Sequence, residues 1–393
     1  MKIFVNILIV TLVYIIAGRV ISPPTPKVSL YNSYEIKYAD KFAEYTLSGN
    51  VPGIGSGLTL LSEESDTKKE FLSIADNGSF LTTDKGKRTP FVGRIVLADE
   101  VATLASVIPL NGLAKNFDGE DIDIENEAVV WLADEAEPSI VRYQLALQRP
   151  LSVYTPGHGL PKILQHKMDN RGIEALAVLP GGKVIFALQS VLDIEGKTSK
   201  LAKHIRVLQF DPKTQEVRTF VYPIDTDLYS ALSEVKIGGF TAINSHKVLL
   251  IEQGPGKDGN YINRINEIDF NIVETIEDDK GEIERKGEVG GLFGKGELKP
   301  QEIINLRNYG WRHNKAEGIA LTEKGRTIYI TNDIDNKVDL NINYEQDPLK
   351  VYLWEFRLDN SFKISLLVDI AYRIAPGIIT LIAMAFLLRK RKS

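Results

Sequence analysis

Glutamate and aspartate recur in this 393-residue chain at positions that a repeat makes equivalent, and that recurrence is its clearest chemical signal. Five two-strand units share one pattern: a short segment with Gly or Glu before Leu or Ile, a turn, then an apolar run ending in a polar or acidic residue. They are GSGLTLL with FLSIADNG (55–61, 71–78), GEDIDI with VVWLADE (119–124, 129–135), GIEALAV with VIFALQS (172–178, 184–190), IGGFTAI with VLLIEQG (237–243, 248–254) and AEGIALT with IYITNDI (316–322, 328–334). The opening positions supply Glu120, Glu174 and Glu317; the closing positions supply Asp76, Asn77, Asp134, Glu135, Gln189, Glu252, Asn332 and Asp333.

Carboxylate and amide oxygens drawn from separate units suit a hard cation, since calcium takes roughly six to eight oxygen ligands in flexible geometry. Gathered without one, such groups repel each other. The metal set read from the pattern is Glu120, Asp134, Glu174, Glu252, Glu317 and Asp333, holding a divalent cation, calcium by ligand type. Glu174 and Glu317 are the candidate catalytic carboxylates, one of them a general base on water, with the metal polarising an ester or phosphoryl oxygen. Arg142, Arg171 and Lys315 flank the acidic motifs and are candidate substrate-binding cations. The competing account is structural: acids after an apolar strand cap turns or accept backbone N–H bonds, a Glu opening each unit locks neighbouring blades, and the cations only pair with those acids.

Several other chemistries find no support. There is no cysteine, which removes disulfides, thiolate metal sites and thiol nucleophiles together. The 5 histidines include no pair at helical zinc spacing, and the loop residues His158 and His313 read as structural. GIGSG at 53–57 has neither the spacing nor the strand-to-helix setting of a nucleophile elbow, and no βαβ pattern makes it a dinucleotide loop. The formal charge is −5, with basic residues scattered except at the C-terminus, so no nucleic-acid footprint is visible.

The elements that must position these residues are strands. Runs such as AVVWLA (128–133), KVIFAL (183–188) and KVLLIE (247–252) are almost continuously apolar, as expected where both faces of a sheet are covered. A third and fourth strand follow some units, as in IRVLQF (205–210) and the run at 217–222, joined by the turn at Asp211-Pro212. Repeated small sheets that bury their faces only against neighbours are the signature of an all-β β-propeller, and six blades fit the length. The units are more widely spaced than blades usually are, so insertions are expected at 62–69 and 274–298. Two packed β-sandwiches are the structural alternative. In a propeller the first strand of each blade lines the central channel, so the acidic positions are expected to converge there.

The ends have a different composition. Residues 1–22 carry an apolar run after Met1-Lys2 and read as a signal peptide or signal anchor. Residues 23–50 are a lead-in segment, 51–359 the propeller, and 360–393 a C-terminal transmembrane or sorting segment. Its uncharged stretch at 374–388 runs into Arg389-Lys390-Arg391-Lys392, which by the positive-inside rule puts the tail in the cytoplasm and the propeller outside, held to the lipid bilayer.

The chain resembles the phytase-like ("esterase-like activity of phytase") family of exported bacterial proteins. The resemblance covers nearly the whole body and rests on WLADEAEPSIVRY (131–143), NRGIEALAVLPGGKVIFALQS (170–190), IRVLQFDPKTQEV (205–217) and KAEGIAL (315–321), in that order. It implies hydrolysis of an ester or phosphoester bond in a small molecule, without naming the substrate. The expectation is therefore an extracytoplasmic, membrane-tethered hydrolase; the alternative is a non-catalytic surface propeller that binds a ligand or protein partner.

Overall fold

The computed structural model describes residues 26–42, 53–74, 76, 81–82, 88–286, 296–313, 315–333, 350–359 and 362. Apart from a two-stranded ribbon, Leu81–Thr82 with Arg88–Thr89, its strands form five mainly antiparallel sheets, each led by one of the five repeat units, and the first strands of the five neighbour one another in a closed ring. This is a five-bladed propeller. The first blade runs Gly57–Glu63, Lys68–Ile74, Phe91–Ala98 and Val101–Pro109; the second Gly119–Asn126, Val129–Asp134, Ser139–Gln144 and Arg149–Pro156. The third runs Ile173–Val178, Val184–Leu188, His204–Phe210 and Val217–Pro223, and the fourth Lys236–Ala242, Lys247–Pro255, Tyr261–Asp269 and Gln301–Asn305. Ala316–Leu321, Thr327–Asn332 and Tyr352–Leu358 make the fifth.

The expected sixth blade is absent among the described residues, and the reason is where the extra chain goes. The charged stretch at 274–298 lies inside the fourth blade, between its third and fourth strands. Its described residues run back to the third blade, where the Ile276 N–H donates to the Thr219 carbonyl and the Leu298 N–H to the Val221 carbonyl, both at 2.9 Å. Arg206 fixes it further, donating to Glu284 and Asp278 at 2.7 Å each, all three side chains being buried. The other suspected insertion, 62–69, is the end of the first hairpin, its two strand tips joined by the turn at 64–67.

The fifth blade is completed from the other end of the chain. Val28–Glu35, within the segment read as a lead-in, pairs antiparallel with Tyr352–Leu358 from Val28 opposite Leu358 to Glu35 opposite Tyr352. Joining first and last strands in one sheet closes the ring and makes its opening a long-range event. The core lies between blades: every residue of Val129–Asp134, Val184–Leu188 and His204–Phe210 is buried, as the unbroken apolar runs imply for sheets covered on both faces. No helix among the described residues is long and apolar enough to cross a membrane. The expected signal at 1–22 and apolar stretch at 374–388 lie outside the described residues.

Candidate functional site

The first strand of each blade begins with the same three-residue step. It reads Ser56-Gly57-Leu58, Glu120-Asp121-Ile122, Glu174-Ala175-Leu176, Gly238-Gly239-Phe240 and Glu317-Gly318-Ile319 around the ring. The large third residue packs into the core between blades, while the middle residue is small wherever backbones approach at the axis. Gly318 shows why: a Cβ there would collide with the Thr331 hydroxyl and come 2.8 Å from the Leu58 side chain.

Asp121 is the exception, and its carboxylate forms the floor of the site. Its Oδ1 accepts the N–H of Ile122 at 2.8 Å, while Oδ2 accepts those of Leu176 at 2.8 Å and Phe240 at 3.2 Å, tying three blades together. Two residues on, Asp123 accepts the Thr59 hydroxyl at 2.6 Å and the Val178 N–H at 2.7 Å. First strands leave one edge unpaired, and these two carboxylates satisfy N–H groups that would otherwise be buried without partners. Burial still raises the pKa of both, well above the usual range for Asp121. Neither was singled out in the sequence; the alternation Asp121, Ile122, Asp123, Ile124 within one strand is the signal that marks them.

Above this floor the glutamates converge. The carboxylate oxygens of Glu120, Glu135 and Glu174, all buried, lie within 4.8 Å of one another, and those of Asp76, Asp118 and Glu120 form a second such group. Glu135 arrives because Gly172 lets the second and third blades touch: a Cβ on Gly172 would collide with the Glu135 carbonyl. Asp118 reaches the site from the residue before the second blade, outside the repeat pattern, and no sequence signal pointed to it.

The cluster holds more negative charge than its surroundings neutralise. Burial first, then the charges of Glu174, Asp76, Glu135 and Glu317, push the Glu120 carboxyl well above the carboxylate range. Burial and the charges of Glu135 and Glu317 do the same to Glu174, against the pull of Lys236 and a hydrogen bond from Gln189. Burial raises Glu135, opposed by Lys236, Arg171 and Lys167. Among the described residues, Glu174 Oε2, Glu135 Oε1 and Gln189 Oε1 are buried with no hydrogen-bond partner. Buried polar atoms are normally satisfied, so unmet oxygens on two clustered glutamates and on the Gln189 that hydrogen-bonds Glu174 are ones that a cation would satisfy. The donor set consists of carboxylate and amide oxygens only, which fits a hard divalent ion.

The remaining residues expected here are dispersed. Glu317 reaches the cluster electrostatically but shares Lys315 with Asp333, the ammonium lying 3.5 Å from Glu317 and 3.4 Å from Asp333. Arg171 is near enough to act on Glu135, and it also lies 3.5 Å from Glu234. Asp134 instead holds a turn, accepting the N–H groups of Asp118 and Ala136 and the Ser139 hydroxyl at 3.1 Å each; burial moves its carboxyl up to about 6. Glu252 accepts hydrogen bonds from the Tyr222 and Tyr229 hydroxyls and from Arg264 Nε at 2.6 Å. Arg142 grips Glu125 through two bonds of 2.6 Å on the second blade. Asn77 lies outside the described residues.

A sequence profile described as phytase-like, esterase-like activity of phytase, matches residues 51–336. No curated protein matches the sequence. Among solved structures, glutaminyl cyclase from Myxococcus xanthus is 8% identical with a TM-score of 0.40, over 86% of this chain and 100% of that one. An α-L-arabinofuranosidase from Podospora anserina, solved with cellotriose, is 10% identical with a TM-score of 0.46, over 86% of this chain and 99% of that one. The catalytic domain of an α-L-arabinofuranosidase from Coprinopsis cinerea is 11% identical with a TM-score of 0.46 and the same coverage, 86% and 99%. At these scores none bears on the chemistry of the site.

Proposed function

The chain belongs to the phytase-like family, and from that membership and the axial cluster we propose a hydrolase of ester or phosphoester bonds that works with a divalent cation at the propeller axis. The observation that carries this reading is the convergence of Glu120, Glu135 and Glu174 with two of their oxygens left unpartnered. These three residues and the Gln189 amide oxygen would hold the ion, which when bound supplies charge neutralisation and polarises a carbonyl or phosphoryl oxygen.

The chain's own residues do the rest. Glu174, which would hold the ion through one carboxylate oxygen, is the base that takes a proton from the attacking water through the other. Glu317 is a positioning carboxylate, drawn to Lys315 so that its charge bears on Glu174 without occupying the same point. Lys236 and Arg171 add positive potential at the rim, which favours an anionic substrate. The uncharged run at 374–388 and its basic tail support placing the propeller outside the cytoplasm, tethered to a bilayer.

The test uses purified full-length protein, stripped of metal and then assayed with and without calcium against phosphomonoesters, aryl esters and lactones. Turnover is expected only with the ion, and Glu174→Gln is expected to lower kcat by about 10²- to 10⁴-fold. Unchanged turnover in both Glu174→Gln and Glu120→Gln, with the fold intact by circular dichroism, would remove the cluster from the chemistry. Cation binding without turnover of any compound would make the propeller a binding module.

A further inference from the structure

Outward from the axis, between the fourth and fifth blades, the chain builds a second site that the carboxylate chemistry does not use. After Gln301–Asn305 it makes a single 3-10 turn, Leu306–Tyr309, capped by Asn305, whose side chain accepts the Arg307 N–H at 3.3 Å. Gly310 ends the turn in the left-handed conformation, φ 87°, and redirects the chain into Trp311-Arg312-His313. Two donors fix that tripeptide by its last carbonyl: the Trp311 indole at 2.9 Å and the Asn263 amide at 3.3 Å. The Asn263 oxygen in turn accepts the N–H of Ala316 at 3.3 Å, one residue before Glu317. The loop is thereby bolted to the blade that carries an axial glutamate.

These elements enclose a pocket of about 390 Å³ lined by Tyr261, Asn263, Arg307, Trp311, Arg312 and His313, together with Asn260. No carboxylate lines it among the described residues. Asp258 stands 3.3 Å from Arg307 on the exposed side, and Arg312 also donates to the Trp311 carbonyl at 3.2 Å. Two guanidinium groups repel a cationic ligand, and the polar wall disfavours a purely apolar one. His313 Nε2 is buried without a partner among the described residues, and burial lowers the imidazole to about 4, so it is neutral near pH 7. Burial likewise pushes the Tyr261 hydroxyl up to about 12, which keeps it a hydrogen-bond donor. The charges of Glu317, Lys315, Arg171 and Glu234 all act on Tyr261, which couples the pocket to the axial site. Its volume suits a small organic molecule better than a bare inorganic ion.

We propose that this pocket binds the oxyanion of a small organic ligand, a phosphate monoester or a carboxylate, through Arg307, Arg312 and Tyr261, with Trp311 and His313 as flat walls. It deepens the hydrolase reading, on which only its catalytic consequence rests: the substrate class becomes esters that carry a second, non-reacting anionic group held beside the axis.

The test is titration calorimetry of phenyl phosphate and benzoate against the metal-stripped full chain, where binding is read without turnover. One saturable site is expected. Arg307→Gln and Arg312→Gln should each weaken it about tenfold, the loss of a charge-assisted hydrogen bond. Asp258→Asn should tighten it, an effect that a merely structural Arg307–Asp258 pair does not produce. Glu174→Gln should leave it unchanged. Tighter phenyl phosphate assigns the site to phosphate and tighter benzoate to carboxylate, and either upholds an oxyanion site. Absence of saturable binding, or wild-type affinity in both arginine variants, overturns the proposal. Failure of the catalytic reading looks different, since Glu174→Gln would then keep full turnover whatever the arginine variants do.

Discussion

Glu174 and Glu252 are both buried, at 1% and 0% exposure, and both come from the repeat, yet their charges are met in opposite ways. At the axis, Glu174 stands among Glu120, Glu135 and Glu317, and one of its oxygens has no partner among the described residues. In the seam between the third and fourth blades, Glu252 receives two tyrosine hydroxyls and a guanidinium, and Asn266 donates to both Tyr222 Oη and Glu252. The Arg206, Asp278 and Glu284 cluster follows the second pattern. Burial of an acid therefore does not separate ligand sites from structural locks. The supply of donors does, because a low-dielectric interior tolerates a charge only where something compensates it.

The comparison breaks most visibly in stability. Glu252→Ala strands Arg264 and two tyrosine hydroxyls, and should cost about 3–5 kcal/mol in urea unfolding, as removal of one partner of a buried ion pair does. Glu174→Gln removes a like charge, so the same measurement on metal-stripped protein should show equal or greater stability than wild type. A loss as large as that of Glu252→Ala would mean that the axial glutamates are locks as well.

A second contrast lies in pH. The carboxyls of Glu120 and Glu174 are raised in the folded state above their ordinary value of 4.5, so folded protein binds more protons than unfolded protein above that pH. Their contribution is thus fully favourable below 4.5 and is lost as pH rises through the raised values. Metal-stripped protein should show a falling Tm from mildly acid to mildly alkaline pH, and calcium should reverse the fall by binding the ionised form. A Tm unaffected by calcium at alkaline pH would count against the cation site.

The smallest effect has the opposite sign. His313 is lowered to about 4 from its ordinary 6.5, so its contribution is present above 6.5 and is lost as pH falls toward 4. His313→Gln should remove that loss, raising Tm at mildly acid pH relative to neutral pH without changing the alkaline limb that the glutamates govern. An unchanged acid limb would show that the imidazole is not desolvated.

The repeat made much of this legible. Glu120, Glu174 and Glu317 could be aligned because each follows the start of an apolar strand with the same step, and the axis then brings such positions together. The closing positions were less informative. Gln189 and Glu252 both close an apolar run, yet Glu252 lies opposite Ile237 in the register that Leu188 holds opposite Ile173, one residue before Gln189; Gln189 leaves an oxygen open, while Glu252 meets Tyr229 and Arg264 from elsewhere in the chain. The pocket at His313 was invisible, since Tyr261 and Asn263 come from one segment and Arg307 and Trp311 from another, and no spacing relates the two.

The order of strands, their apolar runs and the recurring acids are local properties, written in periods of two and in repeated words, and the sequence alone determined them. The five-blade count depended on Val28–Glu35 crossing the chain to Tyr352–Leu358 and on a long insertion folding back against the third blade. The division of acids into satisfied and unsatisfied depended on donors far away in sequence. Both are matters of what meets across space, and only the tertiary structure decided them.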